Sequence, residues 1–220
     1  MKRYFQYLYN LYKTYALRDK FMISAKLWFK NDGDNTFRLN YSLNENSVVF
    51  DIGGYEGLFA EKIFQKYGCT IYIFEPINIF YQNICNKFKN NPKIKVFNFG
   101  ISNRDGSVDI SFLQDGSSIH YDGCARKERI KIRSAAGFIL ENKLDCIDLM
   151  KINIEGEEFQ VLPLLIKSGL VTKVRNIQVQ FHNFIANAEI KRKKIRSELS
   201  KTHQLTYDYY FIWENWELKC

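Results

Sequence analysis

The sequence predicts an α/β protein in which a mostly parallel sheet is covered by helices on both faces. Apolar runs typical of buried strands alternate along the chain with segments of helical periodicity, as in a parallel sheet. A short apolar strand at 47–52 runs directly into a glycine-rich turn at 53–57, and a helical pattern begins at Leu58. Polar side chains recur where the predicted strands end, which is the edge at which open parallel sheets bind ligands.

The remaining elements follow from the same two periodicities. Apolar runs predict further strands at residues 70–74, 95–99, 149–154 and 176–181. Helical spacing predicts helices from Leu58 to the break at Gly68, through Phe80, Ile84 and Phe88 behind a cap at Asn78, through 161–166 before Gly169, and over about 187–200. Alternation at 107–113 predicts an edge strand or hairpin, and the aromatic run at 203–218 is strand-like.

Length and composition are those of one globular domain. The 220 residues are 46% hydrophobic and 25% charged, and no stretch reaches the roughly 18–20 apolar residues that cross a bilayer. We expect no signal peptide, because polar residues interrupt any apolar run near the N-terminus. The five cysteines are scattered and never spaced as CxxC, which predicts reduced thiols in a cytoplasm.

Residues 1–30 are basic and rich in aromatic side chains. They hold seven Lys or Arg residues against one acid, Asp19, within a net charge of +8 for the chain. We favour a helical arm that packs over the core with a solvated basic face. The alternative is a segment that lies on an anionic membrane or binds nucleic acid. Residues 1–44 are therefore predicted to be an N-terminal extension, and 45–220 the main domain.

The glycine turn has the form DxGxxxG, with Asp51 where a dinucleotide-binding GxGxxG loop has its first glycine. Glu56 adds a second carboxylate beside the helix start. Two carboxylates there would repel a pyrophosphate, which argues against a dehydrogenase, and they suit a cationic ligand with hydroxyl groups. S-adenosylmethionine fits, because it carries a sulfonium, an ammonium and a ribose but no phosphate. The alternative is a turn that uses glycine for geometry alone.

Five segments, in order, resemble the FkbM family of S-adenosylmethionine-dependent methyltransferases. They are FDIGGYEG at 50–57, YIFEP at 72–76, NFGISNRDG at 98–106, LDCIDLMKINIEGEEFQVL at 144–162 and IQVQFHNF at 177–184. The LMKINIEGEE stretch is the most specific of them. The closing WENW at 213–216 also resembles the tail of family members associated with glycan biosynthesis.

The resemblance implies a class I methyltransferase fold, with a seven-stranded, mostly parallel sheet, a reversed last strand and helices on both sides. The tail at 203–218 would form its terminal antiparallel hairpin. Carried over by residue, Asp51, Gly53 and Gly57 would line the methionine end of the cofactor, and Gly54 and Asn153 would be further cofactor-binding residues. Glu75 would accept both ribose hydroxyls. The adenine would lie beside Pro76 and Ile77 and beside Phe99 or Ile101, with Ser102 close to its edge.

Two positions depart from the family pattern. Asn153 stands where the family motif KIDxEG has an acid, and Gln180 replaces the acid of an acid–histidine pair. An amide keeps hydrogen-bonding capacity but loses charge, which weakens any interpretation with a divalent metal at this edge, and we assign none. The two substitutions also leave open a non-catalytic scaffold with the same fold.

His182 is our candidate general base, because the pKa of histidine, roughly 6.5, lies near working pH. Glu155 would orient His182 or the substrate, and Glu157 is a further candidate. The alternative for His182 is a strand-end histidine whose ring is satisfied by backbone groups. For Lys151 we expect a structural role, as a charge partner of Asp148 or a packing stem.

The expected substrate is a small molecule or glycan, methylated on a sugar hydroxyl. Nucleic acid is disfavoured despite the basic charge, because the chain lacks an NPPY-like tetrapeptide, a Pro-Cys pair and a clear Lys-Asp-Lys-Glu set. RNA methylation is the alternative activity. The sequence indicates no oligomeric state, and peripheral membrane association through 1–30 stays open.

Overall fold

The computed structural model describes residues 17–112 and 126–220. It contains ten strands, β1 (Val48–Ile52), β2 (Thr70–Phe74), β3 (Ile94–Phe97), β4 (Gly100–Ser102), β5 (Gly106–Phe112), β6 (Arg126–Ser134), β7 (Leu149–Ile152), β8 (Asn176–Val179), β9 (His203–Tyr209) and β10 (Trp213–Leu218), among the described residues. The helices are α1 (Lys20–Lys30), α2 (Leu58–Tyr67), α3 (Asn78–Phe88), α4 (Ala135–Glu141), α5 (Glu158–Lys167) and α6 (Ala188–Leu199), with a 3-10 turn at Leu170–Lys173.

Seven strands form one sheet in the order β3-β2-β1-β7-β8-β10-β9. Neighbours from β3 to β8 are parallel, whereas β10 runs antiparallel to both β8 and β9. The predicted fold class is confirmed, including the C-terminal antiparallel hairpin. Because β1 lies between β2 and β7, the strand order reverses beside it and opens a crevice at its carboxyl end.

Each face of the sheet carries its own apolar core. One core lies under α4, α5 and α6 and includes Phe50, Phe138 and Leu162, while the other lies under α2 and α3 and includes Val49, Ile63 and Ile84. Successive strand residues point to opposite faces, so Val49 and Phe50 serve different cores. Burial on both faces explains why these strands read as unbroken apolar runs.

Several predicted boundaries differ from the structure. The third strand ends at Phe97, and Asn98 and Phe99 lead into β4 of a second sheet ordered β4-β6-β5. The predicted cap at Asn78 is wrong: Ile77 is the N-cap of α3, and the backbone N–H of Asn78 donates to Glu128 Oε1 at 3.0 Å. β5 is the predicted hairpin arm, but its partner β6 and the following α4 were not predicted.

Helix α1 packs over the C-terminal hairpin. Asp19 caps it by accepting from the backbone N–H groups of Phe21 and Met22, at 2.9 and 3.2 Å. Trp28 is 2% exposed and its ring centre lies 5.0 Å from that of Tyr209 in β9. Helix α1 is thus a packed arm, as favoured above, while residues 1–16 lie outside the described part. No helix in 17–112 or 126–220 combines the length and apolarity needed to span a membrane.

A row of polar side chains crosses the centre of the sheet. Matched register places the members side by side on successive strands, in the order Asp51, Lys151, Gln178, Asn215 and Tyr207. We call this set the transverse polar row. The segment that follows α1 covers it: Arg38 Nε donates to Gln178 Oε1 at 3.3 Å, and Gln178 Nε2 donates to the Tyr41 hydroxyl at 2.6 Å.

Candidate cofactor and active site

The turn after β1 requires glycine because it touches the neighbouring strand end. Gly53 has φ +85°, and a Cβ there would lie 2.0 Å from the backbone oxygen of Asn153. A Cβ on Gly54 would meet Ile73 Cγ2 at 2.3 Å, and Gly57 adopts φ +72° as the N-cap of α2. The two loops after β1 and β7 are therefore in contact, which brings Asn153 to the cofactor turn.

The ammonium group of Lys151 braces this turn. Its ammonium lies 2.8 Å from Asp51 Oδ1 and donates to the Gly53 backbone oxygen at 2.6 Å. The expected partner Asp148 is wrong, because Lys151 pairs with Asp51 across β1 and β7, whereas Asp148 accepts from the Val48 N–H at 2.9 Å. Burial lowers the pKa of Lys151, and the Asp51 charge opposes that shift.

Two buried oxygens at this turn have no hydrogen-bond partner within residues 17–112 and 126–220: Asp51 Oδ2 and Asn153 Oδ1. Asp51 is fully buried. A buried acceptor without a donor is costly, so such an atom calls for an explanation, and a ligand that donates is one. The ammonium of S-adenosylmethionine supplies donors and a positive charge, and the residues present fit that group.

Glu75 follows β2 and is 4% exposed. Its carboxylate accepts from the backbone N–H groups of Tyr55, at 2.8 Å, and Ile77, at 2.9 Å. Burial raises the pKa of Glu75 to about 7, and these hydrogen bonds oppose that shift. Asn98 Nδ2 braces the same turn by donating to the backbone oxygens of Glu75 and Pro76. Hydrogen bonds from Tyr55, Ile77 and Asn98 therefore fix Glu75, the residue predicted to bind the ribose, and the turn that carries it.

The residues expected around the adenine differ in how deeply they are buried. Phe99 is half-buried, with its ring centre 5.8 Å from that of Phe74, and the position of Gly100 adjoins Pro76. Ile101 is 3% exposed and belongs to the core under α4 and α5. Ser102 is 1% exposed and donates to Glu157 Oε1. Pro76 and Phe99 thus lie nearer to the surface, while Ile101 and Ser102 support this wall from within.

His182 lies just beyond β8 and is fixed by an acid that sequence reasoning missed. Its ring Nδ1 lies 3.0 Å from Glu158 Oε1, and its backbone N–H donates to the same oxygen at 2.9 Å. Glu158 is fully buried, and its other oxygen accepts from the Gly156 N–H at 2.8 Å. The available signal was helical phase, because Glu158 begins α5 and points inward, unlike its neighbours in EGEE.

Glu155 faces the other ring nitrogen of His182. Its Oε2 lies 3.6 Å from His182 Nε2, too long for a hydrogen bond. Glu155 adopts φ +53°, a left-handed conformation that is rare outside glycine and is found in strained functional loops. Glu158 thus has the orienting position that we had given to Glu155, while Glu155 is 65% exposed at the side chain and faces the open side of the ring.

One loop joins the two groups of residues. The loop after β7 places Asn153 against the cofactor turn and Glu155 against His182, two residues apart. Gln180 follows β8 and its N–H pairs with the Ile152 oxygen, which sets it beside this loop. In the part of the chain that the structure describes, no group of three or more His, Cys, Asp or Glu residues is placed to hold a metal ion.

Solved structures share this fold. A putative rRNA methylase from Clostridium thermocellum aligns with a TM-score of 0.54 at 9% sequence identity, over 86% of this chain and 95% of that chain. The fibrillarin pre-rRNA processing protein of Methanococcus jannaschii aligns with a TM-score of 0.50 at 8% identity, over 84% and 73%. At such identities the likeness concerns the fold alone.

Sequence comparison identifies the family. No curated protein matches the chain at a significant level. The family model described as the Methyltransferase FkbM domain matches residues 51–209, from Asp51 in the cofactor turn to the end of β9. This match spans most of the 220 residues and includes each site residue discussed above. The chain therefore belongs to the FkbM family of methyltransferases, whose methyl donor is S-adenosylmethionine.

Proposed function

We propose that this protein methylates a hydroxyl group of a sugar, glycan or glycan precursor, with His182 as the general base. The observation that carries the proposal is the buried Glu158–His182 pair, which is fixed at a strand end beside the cofactor turn. A structural histidine satisfied by the backbone alone would not need a fully buried carboxylate on its ring. Such a carboxylate fixes the tautomer and orientation of the imidazole.

The chain's own residues would hold the cofactor at three points. Asp51 and Asn153 would accept from its ammonium, Glu75 from its ribose hydroxyls, and Pro76 and Phe99 would flank its adenine. When bound, S-adenosylmethionine supplies an activated methyl group on a sulfonium. The turns that carry these residues are braced by Lys151 and Asn98 before binding. Holding the acceptor oxygen and the methyl group in line is worth on the order of 7–11 kcal/mol in favourable models.

His182 would take the proton of the acceptor hydroxyl at Nε2. Glu158 accepts at Nδ1, so Nε2 is the nitrogen left to act as the base, and it faces the more exposed Glu155. Glu158 would also stabilise the imidazolium that forms. The Glu155 carboxylate, 3.6 Å away, would orient the incoming hydroxyl on that side.

A sugar acceptor is supported by the family resemblance and by Phe184. The Phe184 ring centre lies 5.3 Å from that of His182, and the side chain is 50% exposed. An exposed aromatic ring beside the base suits the apolar face of a pyranose. The WENW tail lends less support than its resemblance suggested, because Trp213, Glu214, Asn215 and Trp216 are all buried in β10.

We also propose a cytoplasmic location. The described cysteines, Cys69, Cys85, Cys146 and Cys220, are all free thiols. Unpaired cysteines are typical of a reducing compartment. The location agrees with an activity on sugar nucleotides or other glycan precursors.

The first experiment is calorimetry of S-adenosylmethionine binding to the wild type and to Glu75→Ala. We expect micromolar affinity that the substitution abolishes. Nucleotide sugars and glycans are then screened as acceptors by formation of S-adenosylhomocysteine. Absence of binding to the wild type would remove the cofactor assignment and favour a scaffold.

The second experiment distinguishes a catalytic role of His182 from a structural one. His182→Ala should lower kcat by about 10²- to 10⁴-fold and leave cofactor affinity within about twofold. Glu158→Gln should lower kcat less than His182→Ala does, because it keeps the shape of the side chain but removes the negative charge that faces the imidazole. Full turnover by His182→Ala at saturating acceptor would refute the assignment.

A further inference from the structure

The starts of helices α1 and α6 lie side by side at one corner of the molecule. Lys20 Nζ lies 5.8 Å from the ring centre of Tyr210, and burial together with the nearby Glu189 carboxylate raises the pKa of Tyr210. The Tyr210 N–H also donates to Ser24 Oγ at 3.1 Å. We call this corner the helix-start surface and define it by Leu17, Lys20, Ile190, Lys191 and Lys194.

Two large apolar side chains of this surface are open to solvent. Ile190 is 69% exposed and Leu17 is 57% exposed. A single exposed apolar residue needs no explanation. Here, however, Ile190 lies in the first turn of a helix whose other exposed side chains are polar or charged, and Leu17 leads into the neighbouring helix. These residues are available to enter an apolar phase.

Cations surround these apolar residues. Lys191 and Lys194 are exposed and form no ion pair within residues 17–112 and 126–220, whereas Lys193 pairs with Glu189 at 3.2 Å. The chain that leads into Leu17 continues this composition. Residues 1–18 contain four Lys or Arg residues, six Tyr or Phe residues and no Asp or Glu. Basic and aromatic residues beside exposed aliphatic ones are the composition of surfaces that lie in a lipid headgroup layer.

We propose that the helix-start surface docks on an anionic lipid bilayer. The lysines would face acidic headgroups while Leu17 and Ile190 enter the boundary of the acyl region. Charge complementarity selects this occupant over a neutral membrane. The proposal concerns binding alone and stands whether or not the acceptor is a sugar.

The test is flotation of the full chain with two kinds of vesicle, phosphatidylcholine alone and phosphatidylcholine mixed with phosphatidylglycerol. We expect binding to the mixed vesicles only, weakening as salt is added. Lys191→Ala with Lys194→Ala should reduce the partition coefficient by about fivefold for each lysine. Ile190→Glu should reduce it by at least about tenfold, because a carboxylate would enter the headgroup layer.

Matched controls come from another face. Leu140→Glu in α4 replaces an apolar side chain that is 61% exposed, and Lys127→Ala with Lys131→Ala removes two exposed cations from β6. Neither control should change vesicle binding. Thermal unfolding and S-adenosylmethionine affinity of each variant report separately on folding and on the proposed activity.

Several results would overturn the proposal. These are no binding to mixed vesicles, equal binding to neutral ones, or equal losses for the β6 control and the Lys191/Lys194 pair. A concentration-dependent dimer that Ile190→Glu dissociates, without vesicle binding by the wild type, would assign the surface to a second copy of the chain. Binding of RNA in place of vesicles, lost in the same variants, would assign it to nucleic acid.

Discussion

At Gly53, backbone geometry requires glycine within the turn that is predicted to bind the cofactor. Its φ of +85° and the 2.0 Å approach of the Asn153 oxygen leave no room for a side chain. Gly53→Ala should therefore abolish cofactor binding and lower the free energy of unfolding by more than the roughly 1–2 kcal/mol of left-handed strain alone. Gly68→Ala is the control, since Gly68 has φ +62° with nothing within 4 Å. Equal losses for both variants in denaturant unfolding would contradict the close contact.

We expect Glu75 to make cofactor affinity depend on pH. Its folded-state pKa of about 7 lies above the ordinary 4.5, so the folded protein retains a proton here as pH rises between those values. Glu75 therefore contributes less to folding stability as pH rises through that window. Ribose hydroxyls donate best to the ionised carboxylate. Affinity for S-adenosylmethionine should thus fall up to about tenfold per pH unit below 7.

Calorimetry of the wild type and Glu75→Gln across this range checks the expectation. The variant cannot titrate at residue 75, so its profile reports any titration of the ligand. Parallel profiles for the two proteins would show that the Glu75 carboxylate does not control binding.

Candidate site residues differ in how far sequence can point to them. Asp51, Gly53 and Glu75 stand out as candidates because each follows an unmistakable apolar strand. The contact between Glu158 and His182 could not be predicted, because three acids of EGEE compete and only the phase of α5 decides which one is buried. The partner of Lys151 was missed for a similar reason, since Asp51 becomes its neighbour only through the register of β1 with β7.

Among the elements, the strands of the seven-stranded sheet and the helices other than α4 could be predicted, whereas the second sheet and α4 could not. In β6, exposed Lys and Arg residues alternate with only two buried apolar residues, Ile130 and Ile132, so the apolar pattern of this strand is short. Residues 113–125 separate β6 from its partner β5 in the sequence, so no local pattern indicates that the two strands pair. Strand ends were predicted up to two residues too long, at 95–99 and 149–154. Apolar residues continue past the last ladder hydrogen bond into the loops that carry the site.

The C-terminal hairpin depends on a buried ionic cluster with α6. Arg192 is 5% exposed and lies 3.0 Å from Glu214 Oε2, while Arg196 and Asp208 complete the cluster. Burial raises the pKa of Glu214 to about 7, and the two arginines oppose that shift. Breaking such a cluster leaves a buried charge poorly compensated.

Arg192→Ala should therefore lower the free energy of unfolding by about 3 kcal/mol or more in urea. The neighbouring Lys193→Ala removes an exposed pair with Glu189 and should cost less than about 0.5 kcal/mol. A loss below about 1 kcal/mol for Arg192→Ala would mean that the cluster contributes little.

At the scale of the molecule, the N-terminal segment and the sheet share a core. Trp28 and Phe37 pack with Tyr207 and Tyr209 of β9, and Arg38 lies 4.2 Å from the Trp213 ring centre. The division at residue 44, predicted from composition, stays a prediction. A division into independent units would allow the two parts to unfold separately, whereas these contacts favour one transition.

Trp28→Ala tests this. We expect a loss of about 3–5 kcal/mol in a single cooperative transition, because a large buried ring leaves a cavity between α1 and β9. The adjacent Phe29→Ala is the control, since Phe29 is 74% exposed and should change stability by less than about 0.5 kcal/mol. Two separate transitions for Trp28→Ala, seen by fluorescence and circular dichroism, would support an independent extension.

The transverse polar row also bears on how the strands find one another. Strands that are apolar on both faces could slide by two residues and still bury every side chain, so hydrophobicity alone does not fix their alignment. Such a slide would separate Lys151 from Asp51 and Gln178 from Asn215. Charged and amide groups would then lack polar partners inside an apolar layer. The row thus acts as an alignment key for segments far apart in the chain. Apolar replacements made together along it should yield a protein that still collapses but no longer assembles in one arrangement.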